Sequence, residues 1–570
     1  MRQELLKFVF LVLYFALTVS APAYAKSFSD DAKGTPHHMG RKIPEKQYLP
    51  VVTKKLADAK ILWVNWAYLK EHGYNGSKEN LASEILENYA FAIPDSNEDS
   101  KYFLKEEKTF YSTFYGGGGI GFNLGDGRAA ASGKFQIKGV GVTPMVKNEI
   151  NHANGRASLE EAMREAYWGE VNARELPHGA NRVIAIIDRG TTGKYPYGET
   201  HRDALIIRED PVRPAHFMQV MNDLKDPRAE NLQFVPEETL LSLIEALPIP
   251  KPALGLNGTL SILAGLREFI KRTTAQHAAS FAKGFYHGAP SESNIEIDGK
   301  FLDYGTHTSQ PNHGKVHVLE HVLPAGETTQ IKEKILNFLI FMTTRIRAAR
   351  VDVAPLLRFI QMEFSTFFDK TYKFHLRHEF LKLIGVPTDI AESSATTRVG
   401  QTFADELIFI ASNGAKPYLG RYDVPNQVTK YDFAKIARAL TEPQKLDYDS
   451  IKASLEKHIP ELKNPRRLIV YYLRFQMTVL AEHKELSASE YLKDQFEQQK
   501  KLNGKRVSGY RWRMMDENKL TISNYLKTFD PALIQRAVDE RIQRSIDEIK
   551  VQSTNQLQPS ISCRAATGGA

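Results

Sequence analysis

Up to about Pro214 the chain alternates short apolar runs with glycine turns, and beyond it apolar positions recur at helical spacing with only short breaks. That switch, more than any other feature, restricts the fold: a sheet comes first and a helical body follows, so the class is α+β rather than alternating α/β. Strand, turn and strand are read over Arg128–Ala131, Ser132-Gly133 and Lys134–Val140, with further strands at Arg182–Asp188 and Ala204–Arg208 around a turn at Gly190–Gly193. With the helices expected at Leu81–Phe91 and Leu159–Asn172, they predict a small antiparallel sheet. Helices are then expected at His216–Leu224, Glu237–Ala246, Leu266–Tyr286, Ile335–Arg350, Leu356–Phe367 and Phe374–Leu383, with more to about Lys550. A chain of 570 residues exceeds one small core, and the reading is two lobes, 47–215 and 216–350, followed by additional C-terminal helices over 351–551.

The net charge of +8 comes from basic residues interleaved with acidic ones, so no nucleic-acid partner is expected. The single cysteine, Cys563, excludes an internal disulfide. Arg2 and Lys7 precede an apolar run from Phe8 to Leu17, and Ala23-Tyr24-Ala25 has the small-x-small form that signal peptidase cuts. Residues 1–25 therefore read as a signal peptide and the mature protein as exported, periplasmic or secreted, with no stable membrane anchor after cleavage. The polar stretch 26–46 reads as a flexible leader and 552–570 as a disordered tail.

Chemistry gathers in two places. After Gly284-Phe285-Tyr286-His287-Gly288 the chain sets Asn294 and Asp303 at the two ends of a short hairpin. A kinase-like lobe holds a metal-nucleotide in this way, with Asn from the catalytic loop and Asp from the strand end that follows. Upstream, the run Tyr115–Ala129 is dense in glycine, which lets backbone amides approach an anion, and it ends in Gly125-Asp126-Gly127-Arg128. Lys138 lies on the next strand and Glu165 on the next helix, the pairing that positions nucleotide phosphates in such folds. His307, His313, His317 and His321 are read as loop histidines, since no cysteine or acidic partner stands at a zinc-binding spacing.

In this order the segments resemble the selenoprotein O family of pseudokinase-fold protein adenylyltransferases. Leu124-Gly125-Asp126-Gly127-Arg128-Ala129, Lys138-Gly139-Val140-Gly141-Val142-Thr143-Pro144, Gly155-Arg156-Ala157 with Arg164-Glu165, and His287-Gly288 through Asn294 to Asp303-Tyr304-Gly305 are similar to its motifs over about residues 110 to 305. The resemblance implies a protein-kinase-like two-lobed fold with a nucleotide turned so that the α-phosphate meets the attacking hydroxyl. ATP with Mg²⁺ or Mn²⁺ would be the cofactors, AMP would pass to Ser, Thr or Tyr of a protein substrate, Lys138 and Glu165 would pair, Arg128 and Arg208 would hold phosphates, and Asn294 and Asp303 would bind the metal.

The chain also departs from the pattern. Where the family has Asp before the metal Asn, this chain has Ser293, and Glu292 is the nearest carboxylate for the catalytic base. The family's second phosphate-side arginine falls at Ala215, with Arg213 the closest substitute. The expected function is an exported protein adenylyltransferase. The alternatives are a catalytically altered nucleotide-binding module and kinase-type phosphoryl transfer.

Overall fold

The structure is a computed structural model; it describes residues 26–94, 100–116, 125–146, 154–194, 200–218, 235–253, 258–283, 285–309, 326–383 and 388–398, with scattered positions in 401–408 and 532–543. Residues 1–25, read above as a signal peptide, most of the glycine-rich loop, His313, His317, His321, residues 409–531 and the tail 552–570 lie outside the described residues.

The architecture is α+β and kinase-like, a sheet followed by helices. The strands are β1 Tyr48–Leu56, β2 Lys60–Val64, β3 Phe91–Ala92, β4 Phe103–Thr113, β5 Ala129–Ser132, β6 Phe135–Lys138, β7 Val183–Lys194 and β8 Thr200–Glu209. They form one antiparallel sheet in the order β2-β7-β8-β6-β5-β4-β1-β3. The sheet is thus larger than expected, because β1 to β4 come from a segment with no clear strand pattern. In β4 the run Lys105-Glu106-Glu107 is exposed, and only its end at Phe110, Ser112 and Thr113 is buried, so the apolar alternation that marks a half-buried strand is missing. Strand β7 also runs past the expected turn: its ladder to β8 slips between Asp188 and Thr192 and then resumes to Lys194.

The helices are α1 Phe28–Ala32, α2 Trp66–Glu71, α3 Lys78–Tyr89, α4 Leu159–Glu175, α5 Pro236–Ala246, α6 Thr259–Ala282, α7 Glu327–Ala348, α8 Ala354–Arg358, α9 Phe364–Leu383 and α10 Thr388–Ser394. A π-turn at Phe359–Glu363 joins α8 to α9. The expected helix to Tyr286 stops at Ala282, and Phe285–Tyr286 (β9) pairs with Thr308–Ser309 (β10). Among the described residues no helix is long and apolar enough to cross a membrane.

Alternate residues of the central strands face two cores, as the two-residue period of a strand requires. Ile186 and Ile206 face the helical body, whereas Ile187, Leu205 and Ile207 join Phe28, Tyr89, Phe110 and Phe135 on the other side.

The stretch 26–46, expected to be a flexible leader, is packed. Phe28 is fully buried and stacks on Phe135 at 4.9 Å between ring centroids. Its chain is tied to the β5–β6 turn, where Lys134 N donates to Asp31 O and His37 N to Gly133 O, both at 2.7 Å. The buried side chains of Phe28, Ala32 and Ile43, with a few backbone bonds, hold a segment whose composition alone reads as loop.

The far C-terminal part returns to the sheet edge. Val64 N donates to Gln535 Oε1 at 2.9 Å and Gln535 Nε2 donates to Val64 O at 3.3 Å, so one side-chain amide satisfies both backbone groups of an edge-strand residue. Beside it Trp63 Nε1 donates to Asp539 Oδ1 at 2.9 Å, and Val538 is buried.

Candidate active site

The β5–β6 hairpin sets Ala129 opposite Lys138, which places Arg128 and Lys138 next to each other at the open end of the hairpin. Helix α4 begins behind the N-cap Ser158, whose Oγ accepts from Glu161 N at 3.1 Å. Glu161 and Glu165 are one turn apart and face the sheet together.

Three elements meet at one ammonium group. Lys138 Nζ is 2.7 Å from Glu161 Oε1 and also pairs closely with Glu165 and with Asp303. Arg128 makes a bidentate pair with Glu161, Nη1 to Oε2 at 3.0 Å and Nη2 to Oε1 at 2.8 Å. Arg208, from β8, lies 3.4 Å from Glu165 and donates to Gln136 Oε1 at 2.8 and 3.0 Å. Carboxylate oxygens of Glu161, Glu165 and Asp303 lie within 4.8 Å of one another.

The charges are held by each other. Burial works against the Lys138 cation, but Asp303, Glu161 and Glu165 outweigh it and raise its pKa above the usual lysine range. Burial likewise opposes ionised Glu161, yet Arg128 and Lys138 hold it down at about 2. For Glu165 burial wins, and its carboxyl is pushed up to about 7 against the pull of Lys138. Asp303 is held well below the carboxylate range, because Lys138 and Arg208 overcome its burial.

The Asn294–Asp303 stretch is a hairpin: Leu302 N donates to Asn294 O at 3.2 Å, Glu296 N to Lys300 O at 2.8 Å, and Ile295 bridges Phe301. Asn294 Nδ2 donates to Ala289 O at 2.8 Å, so a cation at this hairpin would meet its carboxamide oxygen. Asp303 keeps 33% of its side chain exposed and sits at φ 65°, ψ 66°, a left-handed conformation that Arg350 alone shares among the described non-glycine residues by the sign of φ. Oxygen donors from an amide and a partly open carboxylate suit a hard divalent cation such as Mg²⁺ or Mn²⁺.

Asp126 and Arg213 form a second group. Asp126 is buried; its carboxylate accepts from the Thr113 hydroxyl and from Gln136 Nε2 at 3.2 Å, and its carbonyl accepts from Thr143 Oγ1 at 2.6 Å. It pins the base of the glycine-rich loop. Gly125 is required there because a Cβ would stand 2.0 Å from Thr113 O, and Gly127 N closes the turn on Gly125 O at 2.8 Å. Arg213 donates to Tyr115 Oη at 2.9 Å and lies 3.8 Å from Asp126.

The two residues named for the base are placed differently. Glu292 is buried with its carboxylate 3.8 Å from Lys334 of α7, and Ser293 Oγ shares a 2.8 Å hydrogen bond with Ser291. His307 lies in the loop before β10 and is buried, with its ring 4.5 Å from Trp168. The sequence reading passed over Glu161. Its signal was the four-residue spacing to Glu165 on one helix face.

No family model matches the chain. It is 30% identical over 224 residues to the protein nucleotidyltransferase YdiU of Ralstonia nicotianae, which covers 37% of this chain and 39% of that protein. It is 27% identical over 220 residues to the protein nucleotidyltransferase YdiU of Ectopseudomonas mendocina, covering 36% and 41%. The chain thus spans about two fifths of the length of the curated relatives it matches.

Proposed function

We propose that this chain, similar over part of its length to two protein nucleotidyltransferases, is a divergent member of the selenoprotein O family and transfers AMP from ATP to a Ser, Thr or Tyr hydroxyl of another protein. The observation that carries the reading is the convergence of Lys138, Arg128 and Arg208 on Glu161, Glu165 and Asp303, beside the hairpin that ends in Asn294. In this reading the acceptor hydroxyl oxygen attacks the α-phosphorus, the bond to the β-phosphate oxygen breaks, pyrophosphate leaves, and the hydroxyl proton passes to solvent. Lys138, Arg128 and Arg208 supply cationic donors for the developing charge, each released from a carboxylate as the nucleotide enters. Asn294 and Asp303 would hold Mg²⁺ or Mn²⁺, which supplies charge neutralisation on the phosphates when bound.

Ser293 offers no carboxylate where the family has one, and the direction of Glu292 toward Lys334 argues against its taking the acceptor proton. Ser293 therefore favours a second reading, a nucleotide-binding module without transfer. Export after cleavage at Ala25 belongs to the same proposal, supported by the basic, apolar and small-residue order of the first 25 residues.

The test is to incubate the protein with Mg²⁺ or Mn²⁺, acceptor proteins, and ATP labelled at the α- or the γ-phosphate. α-Label on protein is the expected result. γ-Label would instead indicate kinase-type transfer, and nucleotide binding without label on protein would indicate the module.

A further inference from the structure

Each cation assigned to phosphate near Lys138 is already paired, and Glu161 does more of that pairing than any other carboxylate. It takes both terminal nitrogens of Arg128, at 2.8 and 3.0 Å, and lies 2.7 Å from Lys138. With Glu165 and Asp303 it sets three carboxylates against the three cations Lys138, Arg128 and Arg208. Glu161 is 2% exposed, so water screens this balance little.

A polyphosphate entering alone meets cations whose charge is spent on fixed carboxylates, and their desolvated pairs must be broken to admit it. A divalent cation changes the sum. By taking Asp303, the most open of the three carboxylates, it adds two positive charges and removes one of the anions that hold Lys138. Removing the charge of Glu161 has the same sign of effect, because Arg128 and Lys138 then carry charge without that partner.

We propose that Glu161 is a positioning residue that keeps the phosphate site self-neutralised, so that polyphosphate binding depends on prior or joint binding of a divalent cation. This rests on reading the Lys138 group as a phosphate site.

The test is calorimetric titration of the full chain with inorganic pyrophosphate and with ATP, in EDTA and in Mg²⁺, for the wild type, Glu161→Gln and Glu161→Asp. In EDTA, Glu161→Gln is expected to bind pyrophosphate about tenfold or more tightly than the wild type, as an uncompensated buried cation requires. Glu161→Asp, which keeps the charge, retains the dependence on Mg²⁺; thermal melting of both variants confirms the fold. Equal affinity of the wild type and Glu161→Gln in EDTA overturns the inference while leaving the nucleotide reading intact. No binding of either anion by any form, even with Mg²⁺, overturns both. Binding that follows the expected pattern without transfer of label supports the Glu161 inference and rejects only the transferase.

Discussion

Asn65 Nδ2 donates to Glu170 Oε1 at 2.6 Å, fastening the end of edge strand β2 to the helix that carries Glu161 and Glu165. Asn65 also caps α2, accepting from Tyr68 N at 2.9 Å, and Glu170 is held again by Arg182 at 2.5 and 2.8 Å. The preceding residue, Val64, is the one whose backbone Gln535 grips at both ends. A short run of contacts therefore leads from the far C-terminal part of the chain to the site helix.

Gln535→Ala removes both bonds to Val64 and leaves a buried backbone donor and acceptor unpaired, at a cost of about 1–3 kcal/mol. Hydrogen exchange is expected to speed up in peptides covering β2 and, through Asn65, in α4. Unchanged exchange in α4 would show that the Asn65–Glu170 link does not transmit the loss.

Phe28→Ala tests whether the leader belongs to the fold. Phe28 is fully buried among Tyr74, Tyr89 and Phe135, so truncation is expected to cost about 3–5 kcal/mol. Denaturant unfolding measures it. A midpoint equal to that of the wild type would mean that the segment docks without supporting the sheet.

Asp303→Ala is expected to reduce transfer at least about a hundredfold, as loss of a metal-binding carboxylate does. It also removes a partner of Lys138 from a partly open position, so thermal stability should fall less than activity. Single-turnover assays with α-labelled ATP, alongside melting curves, separate the two; activity near the wild-type level would remove Asp303 from the metal site.

Glu296, inside the Asn294–Asp303 hairpin, gives a pH signature. It is buried, accepts from Asn181 Nδ2 at 3.0 Å, and burial pushes its carboxyl from 4.5 up to about 8. A folded-state pKa above the unfolded one means that the native protein binds the extra proton. Its contribution is therefore whole below about pH 4.5 and is lost as pH rises to about 8. Glu296→Gln, which mimics the protonated form, should match the wild type near the acid end of that window and be more stable near its alkaline end by roughly a few kcal/mol. Paired urea titrations at the two ends check it; a difference independent of pH would reject the shift.

Much of the site was legible because local chemistry marks it. Lys138 ends a strand bounded by glycine turns, Glu165 lies on the helix that follows, and Asn294 and Asp303 flank a turn with Asp298-Gly299 at its tip. Glu161 lay on that same helix, but no local signal says that Arg128 would reach it, because their contact depends on how the β5–β6 hairpin packs on α4. The direction of Glu292 was equally hidden. Its partner Lys334 belongs to a helix that arrives by tertiary packing, about forty residues downstream. Strands β1, β3 and β4 escaped notice because β4 carries an exposed charged run and β1 pairs with β3 and β4 rather than with the strands read from sequence, whereas β2 is five residues long and is fixed by its ladder to β7.

The packing of residues 26–28 bears on the proposed cleavage of the N-terminal run. Lys26 pairs with Asp31 at 2.6 Å and lies over the Tyr74 ring, Ser27 caps α1, and Phe28 is sealed in the core, all within three residues of the bond after Ala25. A peptidase must draw several residues on both sides of its target into an extended strand, and here those on one side are committed to the folded body. On the proposed reading of residues 1–25 as a signal peptide, cleavage after Ala25 would have to come before the sheet closes over Phe28, so removal of the N-terminal run and folding of the first lobe would be sequential rather than independent.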